Sequence, residues 1–306
     1  MDCGRYVGKV DTRIIADMIT RSELMGVSSH GLHYYLHSIR PLVETGRINA
    51  SEVTVRGNVV SAEGNGGVGF RNLEACLKKA SGLAARSGSS VLVLKNPGKV
   101  GALRLYCQSI MDRGQLLILM KNTAATVGLP GSKRPIIGTN PLCIGLPDSA
   151  FIYDSSISTI ATNRMRLNAK RDEAFSNTIG LDAKGKPTKD ATDILEGEGM
   201  LLPFSTEDYA FKGFFLGVVI ESIAAMAGGK TSIRVGKNKG ARLYSDEGMF
   251  GFIVDRKVFP NYDNYLKELP LLFNDLKTAR IRLPNSKKPR KTLTVLRRDW
   301  QELTGS

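Results

Sequence analysis

VLVLKNPGKVGALRLYCQSIMDRGQLLILM, residues 91–120, is the stretch of sequence that decides the fold class of this chain. It opens with a strand-like apolar run at 91–94, continues with a helical pattern over 102–113, and closes with a second strand-like run over 116–120. Strands that alternate with helices in this way are typical of an α/β sheet. The segment therefore predicts an α/β protein.

Helices and strands are also predicted on both sides of this segment. Hydrophobic periodicity and Gly or Pro breaks predict upstream helices over 11–25, 30–44 and 72–86, with strands over 53–56 and 58–62. Downstream they predict strands over 151–153 and 250–254, and helices over 214–227, 262–278 and from Arg298 onward. Ordered motifs flank the polar stretch 164–199, so we expect it to run over the surface rather than to act as a linker.

The composition is that of a globular protein. The 306 residues are 42% hydrophobic, which is enough for a substantial core. The longest apolar run, 214–227, is short for a membrane span and contains Glu221, and the N-terminus lacks the apolar core of a secretory signal. The four cysteines are scattered without CxxC spacing, which argues against a zinc knuckle or a disulfide framework. We therefore expect a cytoplasmic protein without a membrane segment.

The chain carries a formal net charge of +14, from 43 Lys and Arg against 29 Asp and Glu. Such an excess is compatible with nucleic acid, an anionic membrane surface, or anionic metabolites and cofactors as partners. The densest basic run, 287–291, has no interleaved aromatic residues, and no RRM, KH or zinc-finger pattern accompanies it. Anionic small molecules are favoured, and nucleic acid is the less favoured partner.

A glycine-rich turn at 64–69, GNGGVG, fits the pattern G-x-G-x-x-G between a strand and a helix. A dinucleotide site of this kind usually has an Asp or Glu for the ribose about twenty residues later. Here the next strand ends in Lys95 and Asn96 instead. A turn that lets the helix pack closely is the favoured interpretation, and the dinucleotide fingerprint is the alternative.

All three histidines of the chain, His30, His33 and His37, fall in one short segment. On a helix their spacing places them on one face, so a metal site is one interpretation. The segment has no neighbouring carboxylate or cysteine as a further ligand, and we predict no metal. His30 follows Ser29 at a helix entrance and is an acid/base candidate, since imidazole changes charge near neutral pH. A capping or packing role is the competing interpretation.

A third group of small and polar residues occupies 127–131, 138–141 and 154–156. Backbone amides in such segments can approach phosphates, and Ser, Thr and Asp side chains can bind ribose hydroxyls. Ordinary turns have the same composition. The order of these segments along the chain is more informative than any one of them.

Six segments, taken in order and spacing, resemble one known family. They are GVSSHGL at 26–32, the turn at 63–69, GTNP at 138–141, DAKGKPT at 182–188, LP at 202–203 and KG at 212–213. In this set the chain resembles the malate/L-lactate dehydrogenase family that does not use the Rossmann fold. That group includes ureidoglycolate dehydrogenase, sulfolactate dehydrogenase, diketogulonate reductase and piperideine carboxylate reductase.

The resemblance implies an α/β fold with a central mixed sheet, flanking helices and a helical dimerisation region. It also implies a homodimer whose active sites draw on both subunits, with NADH or NADPH as hydride donor. In this division, 1–70 and 240–306 form the helical dimerisation region and 71–239 form the cofactor-binding α/β region. The glycine-rich turn is structural in this family.

The resemblance also assigns cofactor contacts, because several polar positions match those of the family. Lysine suits a phosphate, a carboxylate suits ribose hydroxyls, and hydroxyl side chains suit the carboxamide or phosphates. The matching positions are Thr123, Asp154, Ser155, Ser156 and Lys212, and the turn formed by Asp246, Glu247 and Gly248 is expected to close over the same ligand.

The expected catalytic groups are only partly those of the family. His30 matches the histidine of the family's SHG motif, which donates a proton in some members. Tyr34 stands where the family usually has a substrate-binding Arg, and Lys99 stands where it has a second His. Asn163 falls where a Gly is usual.

These departures allow two interpretations. In the first, Lys99 supplies the missing cation or acts as acid/base, Tyr34 donates a hydrogen bond, and the substrate has changed. The chain is then an NAD(P)-dependent oxidoreductase that acts on a small 2-hydroxy or 2-oxo acid or a cyclic imino acid. In the second, the site has decayed, and the chain is a cofactor-binding or partner-binding dimer.

Overall fold

The computed structural model describes residues 9–48, 50–205, 207–236, 246–284, 292 and 297–304. The strands in these ranges are β1 (Thr54–Arg56), β2 (Val59–Glu63), β3 (Ser89–Lys95), β4 (Gln115–Lys121), β5 (Leu142–Gly145), β6 (Ile152–Ser155), β7 (Gly180–Leu181), β8 (Pro187–Thr188), β9 (Met200–Leu201) and β10 (Gly248–Asp255). The helices are α1 (Lys9–Leu24), α2 (Leu32–Tyr34), α3 (Arg40–Glu44), α4 (Phe70–Ser87), α5 (Gln108–Met111), α6 (Thr162–Lys170), α7 (Thr192–Leu195), α8 (Ala210–Met226), α9 (Tyr262–Thr278) and α10 (Arg297–Thr304).

A seven-stranded mixed sheet forms the centre of the molecule, in the order β1-β2-β3-β10-β4-β5-β6. The β2–β3 pair is parallel, and the other pairs are antiparallel. β10 comes from the far end of the chain and lies between β3 and β4, where Met249 is opposite both Leu94 and Lys121. This arrangement confirms the prediction of an α/β fold with a central mixed sheet.

Helices cover both faces of this sheet. In β4, Leu119 belongs to the buried cluster that contains the inner face of α4, while the next residue, Met120, packs against the cluster that contains Ile220 of α8. Successive strand residues point to opposite faces. α4 and α8 therefore lie on opposite sides of the sheet, and each supplies the apolar face that its side needs.

The polar stretch 164–199 is more ordered than the sequence predicts. It contains most of α6 and also β7, β8 and α7, and β7 pairs with both β8 and β9 in a small antiparallel sheet. Its apolar residues Met165 and Ile179 are buried with Val127 in the core beside α8. Most of the stretch lies at the surface, as expected, but its sparse apolar residues anchor it to a second core.

The helix predicted over 102–113 needs correction, and one strand of the central sheet was missed. The pattern over 102–113 forms a 3₁₀ turn (Leu103–Tyr106) and the short helix α5 rather than one helix. At the turn, the N–H of Arg104 donates to the carboxylate of Asp154 (3.1 Å), a contact that the local sequence does not show. β5 was not predicted, because its four residues follow a stretch rich in Gly and Pro.

The glycine-rich turn at 64–69 is packed against the loop that carries Lys99. The Gly69 N–H donates to the Lys99 carbonyl (2.9 Å), and the Lys99 N–H donates to the Gly67 carbonyl (2.8 Å). A Cβ on Gly69 would lie 2.0 Å from the backbone oxygen of Pro97. The Gly69 amide, which a pyrophosphate would use, is thus bonded to protein, as the packing interpretation expects.

None of the helices in the described ranges is long and apolar enough to cross a bilayer. The basic run 287–291 lies outside the described residues.

Candidate active site

A cleft of about 390 Å³ lies along one edge of the central sheet. At this edge β3, β4 and β6 end, whereas β5 and β10 begin, because they run antiparallel to their neighbours. The loops that follow or precede these strands therefore meet around one space. Among the predicted site residues, the cleft is lined by His30, Tyr34, Lys99, Thr123, Asp154, Ser155, Ser156 and Glu247.

Three predicted cofactor residues lie outside this cleft. Lys212 is on the exposed face of α8, with its ammonium 4.8 Å from the centre of the Tyr209 ring. Asp246 forms an ion pair with Lys230 (2.9 Å). Gly248 is buried at the start of β10, against α8. Within one chain Lys212 is therefore separate from the cleft, whereas Asp246 and Gly248 flank Glu247, which lines it.

His30 enters the cleft from the turn before α2. Its Nδ1 lies 3.2 Å from the Ser29 hydroxyl and its Nε2 lies 3.5 Å from the Asn163 amide, and its ring centre is 5.2 Å from that of Tyr34. Burial, and then the charge of Lys99, lowers the pKa of His30 to about 4. The imidazole is therefore neutral at pH 7 when no anion is bound.

Lys99 lies on the loop that closes over the glycine-rich turn. Asn96 and Gly98 of this loop both adopt positive φ angles (49° and 67°), which gives the loop its tight shape. Burial lowers the pKa of Lys99 to about 8, with the charge of Lys121 acting in the same direction and Glu247 opposing it. Lys99 thus titrates close to neutral pH, as an acid/base group should.

Tyr34 is buried at the end of α2, just before a π-helical turn (Tyr35–Ile39). Burial raises the pKa of its phenol above the usual value, so that the hydroxyl stays protonated at physiological pH. A protonated phenol can donate a hydrogen bond but carries no charge. Tyr34 therefore cannot supply the positive charge of the Arg that the family resemblance leads us to expect at this position.

Asp154 is held by a residue that sequence analysis did not identify. Its Oδ2 accepts from the Arg104 N–H (3.1 Å) and lies 3.5 Å from the Arg104 guanidinium. Burial raises the pKa of Asp154, and the two contacts with Arg104 oppose the rise. Both contacts use Oδ2, which leaves Oδ1 for a ligand hydroxyl.

A buried polar network supports the floor of the cleft. Asn140 accepts from the Thr123 N–H (3.1 Å) and donates to Glu221 (2.8 Å). Glu221 also accepts from the Ser232 hydroxyl (2.6 Å), and Thr123 and Thr139 are joined through their hydroxyls (3.2 Å). The network fixes Thr123, because each of these bonds lies largely out of water.

The hydroxyl groups of Ser155 and Ser156 are engaged locally. Ser155 donates to the Ser156 carbonyl (2.9 Å), and Ser156 lies 3.0 Å from the Ser158 hydroxyl. A ligand that uses these hydroxyls must share or replace these bonds.

Two further cations in the cleft were missed by the sequence analysis. Lys121, at the end of β4, forms a buried ion pair with Glu247 (2.5 Å). Arg166, on α6, donates to Asn163 (3.3 Å), and no carboxylate in the described part of the chain lies within ion-pair distance of it. A charged residue at a strand end was a usable signal for Lys121. Nothing in the local pattern distinguishes Arg166 from the other basic residues of α6.

The family model for malate/L-lactate dehydrogenase matches residues 6–290 of the chain. The chain belongs to the malate/L-lactate dehydrogenase family. The resemblance carried by the six sequence segments is thus confirmed. Family membership places the chain among dehydrogenases and reductases, as predicted.

Curated relatives of the chain differ in the substrates that their names state. The L-sulfolactate dehydrogenase of Methanothermobacter thermautotrophicus is 29% identical over 221 residues, which cover 69% of this chain and 62% of that protein. The Δ1-pyrroline-2-carboxylate reductase of Pseudomonas fluorescens is 27% identical over 287 residues, covering 90% of this chain and 83% of that one. The names of these two relatives thus include a hydroxy acid and an imino acid as substrates.

Solved structures support the fold. The Δ1-piperideine-2-carboxylate reductase of Pseudomonas syringae pvar. tomato has a TM-score of 0.82 at 22% identity, and the match covers 98% of this chain and 93% of that one. At this identity the likeness concerns the fold alone.

Proposed function

We propose that the chain is a nicotinamide-dependent reductase of a small 2-oxo acid or a cyclic 2-imino acid. The observation that carries the proposal is the convergence of His30, Lys99 and Arg166 in one cleft that also contains Asp154. Such a reduction needs a cation for the substrate carboxylate, a proton for the oxygen or nitrogen, and a hydride for the adjacent carbon.

Arg166 is the proposed anchor for the substrate carboxylate. It lies half-buried in the cleft, and its hydrogen bond within the described residues goes to a neutral amide rather than to a carboxylate. A guanidinium binds a carboxylate through two parallel hydrogen bonds, which fixes orientation as well as charge. Arg166 then provides from α6 the charge that Tyr34 cannot provide from α2.

Lys99 is the proposed proton donor. With a pKa of about 8 it is largely protonated at pH 7, yet it loses its proton more easily than an exposed lysine. The pKa of His30 is lowered to about 4, so its neutral ring serves to orient the reacting oxygen or nitrogen by a hydrogen bond. A bound carboxylate raises the pKa of both groups, because its negative charge favours their protonated forms.

The residues present fit a nicotinamide dinucleotide, which supplies the hydride when bound. Asp154 Oδ1 remains for a ribose hydroxyl while Arg104 holds Oδ2. Thr123, which lines the same cleft, is fixed by the network through Asn140. The excess of positive charge suits the anionic phosphates of either cofactor. Both NADH and NADPH are therefore candidates, and the choice between them is an experimental outcome.

The homodimer and the division into 1–70 with 240–306 and 71–239 also remain proposals. α8 exposes Phe215 (58%), Val219 (51%) and Met226 (82%), an apolar patch of the kind found at protein interfaces. β10, from the C-terminal part, pairs within the central sheet, so the two proposed regions share that sheet. Light scattering of the wild type and of Phe215→Glu tests the dimer, which the added charge is expected to dissociate.

The proposed function is tested in two steps. Thermal shift with NADH and NADPH is expected to show stabilisation by at least one of them. A panel of 2-oxo acids and cyclic imines, assayed with the cofactor that binds, is then expected to reveal oxidation of the cofactor. Binding without turnover of any substrate in the panel would contradict a reductase and support a cofactor-binding protein with a decayed site. Failure to bind either cofactor would contradict both.

A further inference from the structure

We propose a divalent metal site, of the type that takes Zn²⁺, outside the active-site cleft and formed by His33, His37 and Asp299. One ring nitrogen of each histidine and one carboxylate oxygen of Asp299 lie within 4.8 Å of one another. Imidazole nitrogen with carboxylate oxygen is a ligand set that Zn²⁺ accepts in near-tetrahedral sites. His30 is not part of this group, since it lines the cleft.

The helix geometry places the two histidines together. His33 is in α2 and His37 is in the π-helical turn that follows, so they are neighbours on one side of the helix. Their ring centres lie 4.4 Å apart with the planes inclined at 58°. Asp299 approaches from α10, more than 250 residues further along the chain, which is why the sequence offered no third ligand.

An unpartnered buried nitrogen points into the cluster. His33 is 6% exposed, and its Nδ1 has no hydrogen-bond partner within the described residues. This atom lies 3.7 Å from Asp299 Oδ2, which is too long for a hydrogen bond. A buried nitrogen without a partner is costly. A metal ion between His33 and Asp299 would satisfy both atoms.

The ring nitrogens are suited to metal binding. Burial, and then the neighbouring His37, lowers the pKa of His33 to about 4, and burial and the Lys170 charge lower that of His37. Both shifts favour the neutral ring, which has a lone pair available, as a metal ligand must.

The cluster already binds a cation in the form of Lys170. The Lys170 ammonium lies 2.8 Å from His37 Nε2 and 2.7 Å from Asp299 Oδ1. It also lies 3.7 Å from Glu302, one turn further along α10. Zn²⁺ would displace this ammonium toward solvent, and Glu302 would then be available as a fourth ligand.

The site has a route to solvent and a structural consequence. His37 is exposed, whereas His33 and Asp299 are buried, so an ion can enter from the His37 side. Binding would join α10 to the helix that carries Tyr34 into the cleft. The ion would stabilise the fold by mass action without touching the reacting groups.

The proposal is tested by titrating Zn²⁺ into the chelator-treated full chain by calorimetry. We expect one equivalent to bind, with a dissociation constant of about 1 μM or tighter. His37→Ala removes an exposed ligand with little risk to folding and should abolish this binding. His30→Asn, which removes a histidine outside the cluster, is the matched control and should leave the binding unchanged.

A second variant tests the site without deleting a proposed ligand. Lys170→Met should bind Zn²⁺ about tenfold more tightly, because the ammonium no longer competes for His37 and Asp299. Its melting temperature without metal should fall, since Asp299 is left buried without a cation, and Zn²⁺ should restore it. Absence of saturable binding to the wild type would overturn the proposal, even if Lys170→Met binds. Binding that survives in His37→Ala would overturn it as well, because the ion would then lie elsewhere, for example on the cysteines.

Discussion

Arg166→Met removes the proposed carboxylate anchor and leaves a side chain of similar length. A guanidinium and a carboxylate about 4 Å apart attract each other by about 4 kcal/mol at an effective dielectric constant of ~20. Arg166 is half-buried, so desolvation and solvent screening reduce this to about 2–3 kcal/mol. At about 1.4 kcal/mol for each factor of ten, kcat/KM should fall roughly 30- to 150-fold.

The assay is steady-state oxidation of the preferred cofactor over a range of 2-oxo acid or imino acid concentrations. The loss is expected in kcat/KM for the substrate, whereas the dissociation constant of the cofactor should stay unchanged. Arg166→Lys should retain part of the activity, because it keeps the charge but loses the paired hydrogen bonds. Arg164→Met is the matched control, since Arg164 is exposed on the same helix and bonds to Asn168 (3.2 Å).

Equal kcat/KM values for Arg166→Met and Arg164→Met would refute the anchor. An equal loss in cofactor affinity and in kcat/KM would also refute it, because Arg166 would then bind the cofactor rather than the substrate.

Three further predictions concern the cleft and its support. If Lys99 donates the proton, kcat/KM should be constant below a pH of about 8 and fall above it, because the pKa of Lys99 is lowered to about 8 and the protonated amine is lost above that pH. Lys99→Arg should abolish this fall. A pH profile of Lys99→Arg identical to that of the wild type would exclude Lys99 as the donor. Glu221→Gln should lower the free energy of unfolding by about 2–4 kcal/mol in urea titrations, because the new NH₂ group is a donor that faces the N–H and hydroxyl donors of Ser232. A change below about 0.5 kcal/mol would mean that the network is dispensable. Gly69→Ala should lower the same quantity by about 2–4 kcal/mol, since its Cβ would lie 2.0 Å from a backbone oxygen of the loop that carries Lys99. Gly82 lies inside α4, and a Cβ there would be 3.7 Å from the nearest atom. Gly82→Ala should therefore raise the free energy of unfolding by about 0.5–1 kcal/mol. A change of the same sign in both glycine variants would contradict the packing described for Gly69.

The sequence by itself determined the elements whose residues repeat with a local period. β3, β4 and α4 follow the alternation or the helical period of their own residues, so they were predicted to within a few residues. The ordered set of short segments was enough to predict the family, which the family model over residues 6–290 confirms, although the relatives named above are less than 30% identical to the chain. His30, Lys99 and Tyr34 were identified in this way, and the cleft contains all three.

Only the tertiary structure decided what these residues meet. β10 enters between β3 and β4 from the far end of the chain, and this pairing brings Glu247 to Lys121, more than 120 residues away. Contacts between distant segments likewise bring Arg166 into the cleft, keep Lys212 out of it, and place Asp299 beside His33 and His37. The physical reason is that local periodicity specifies which face of an element is apolar. Local periodicity does not specify which distant element will cover that face. The packing of distant elements against each other brings the charged groups of the site together.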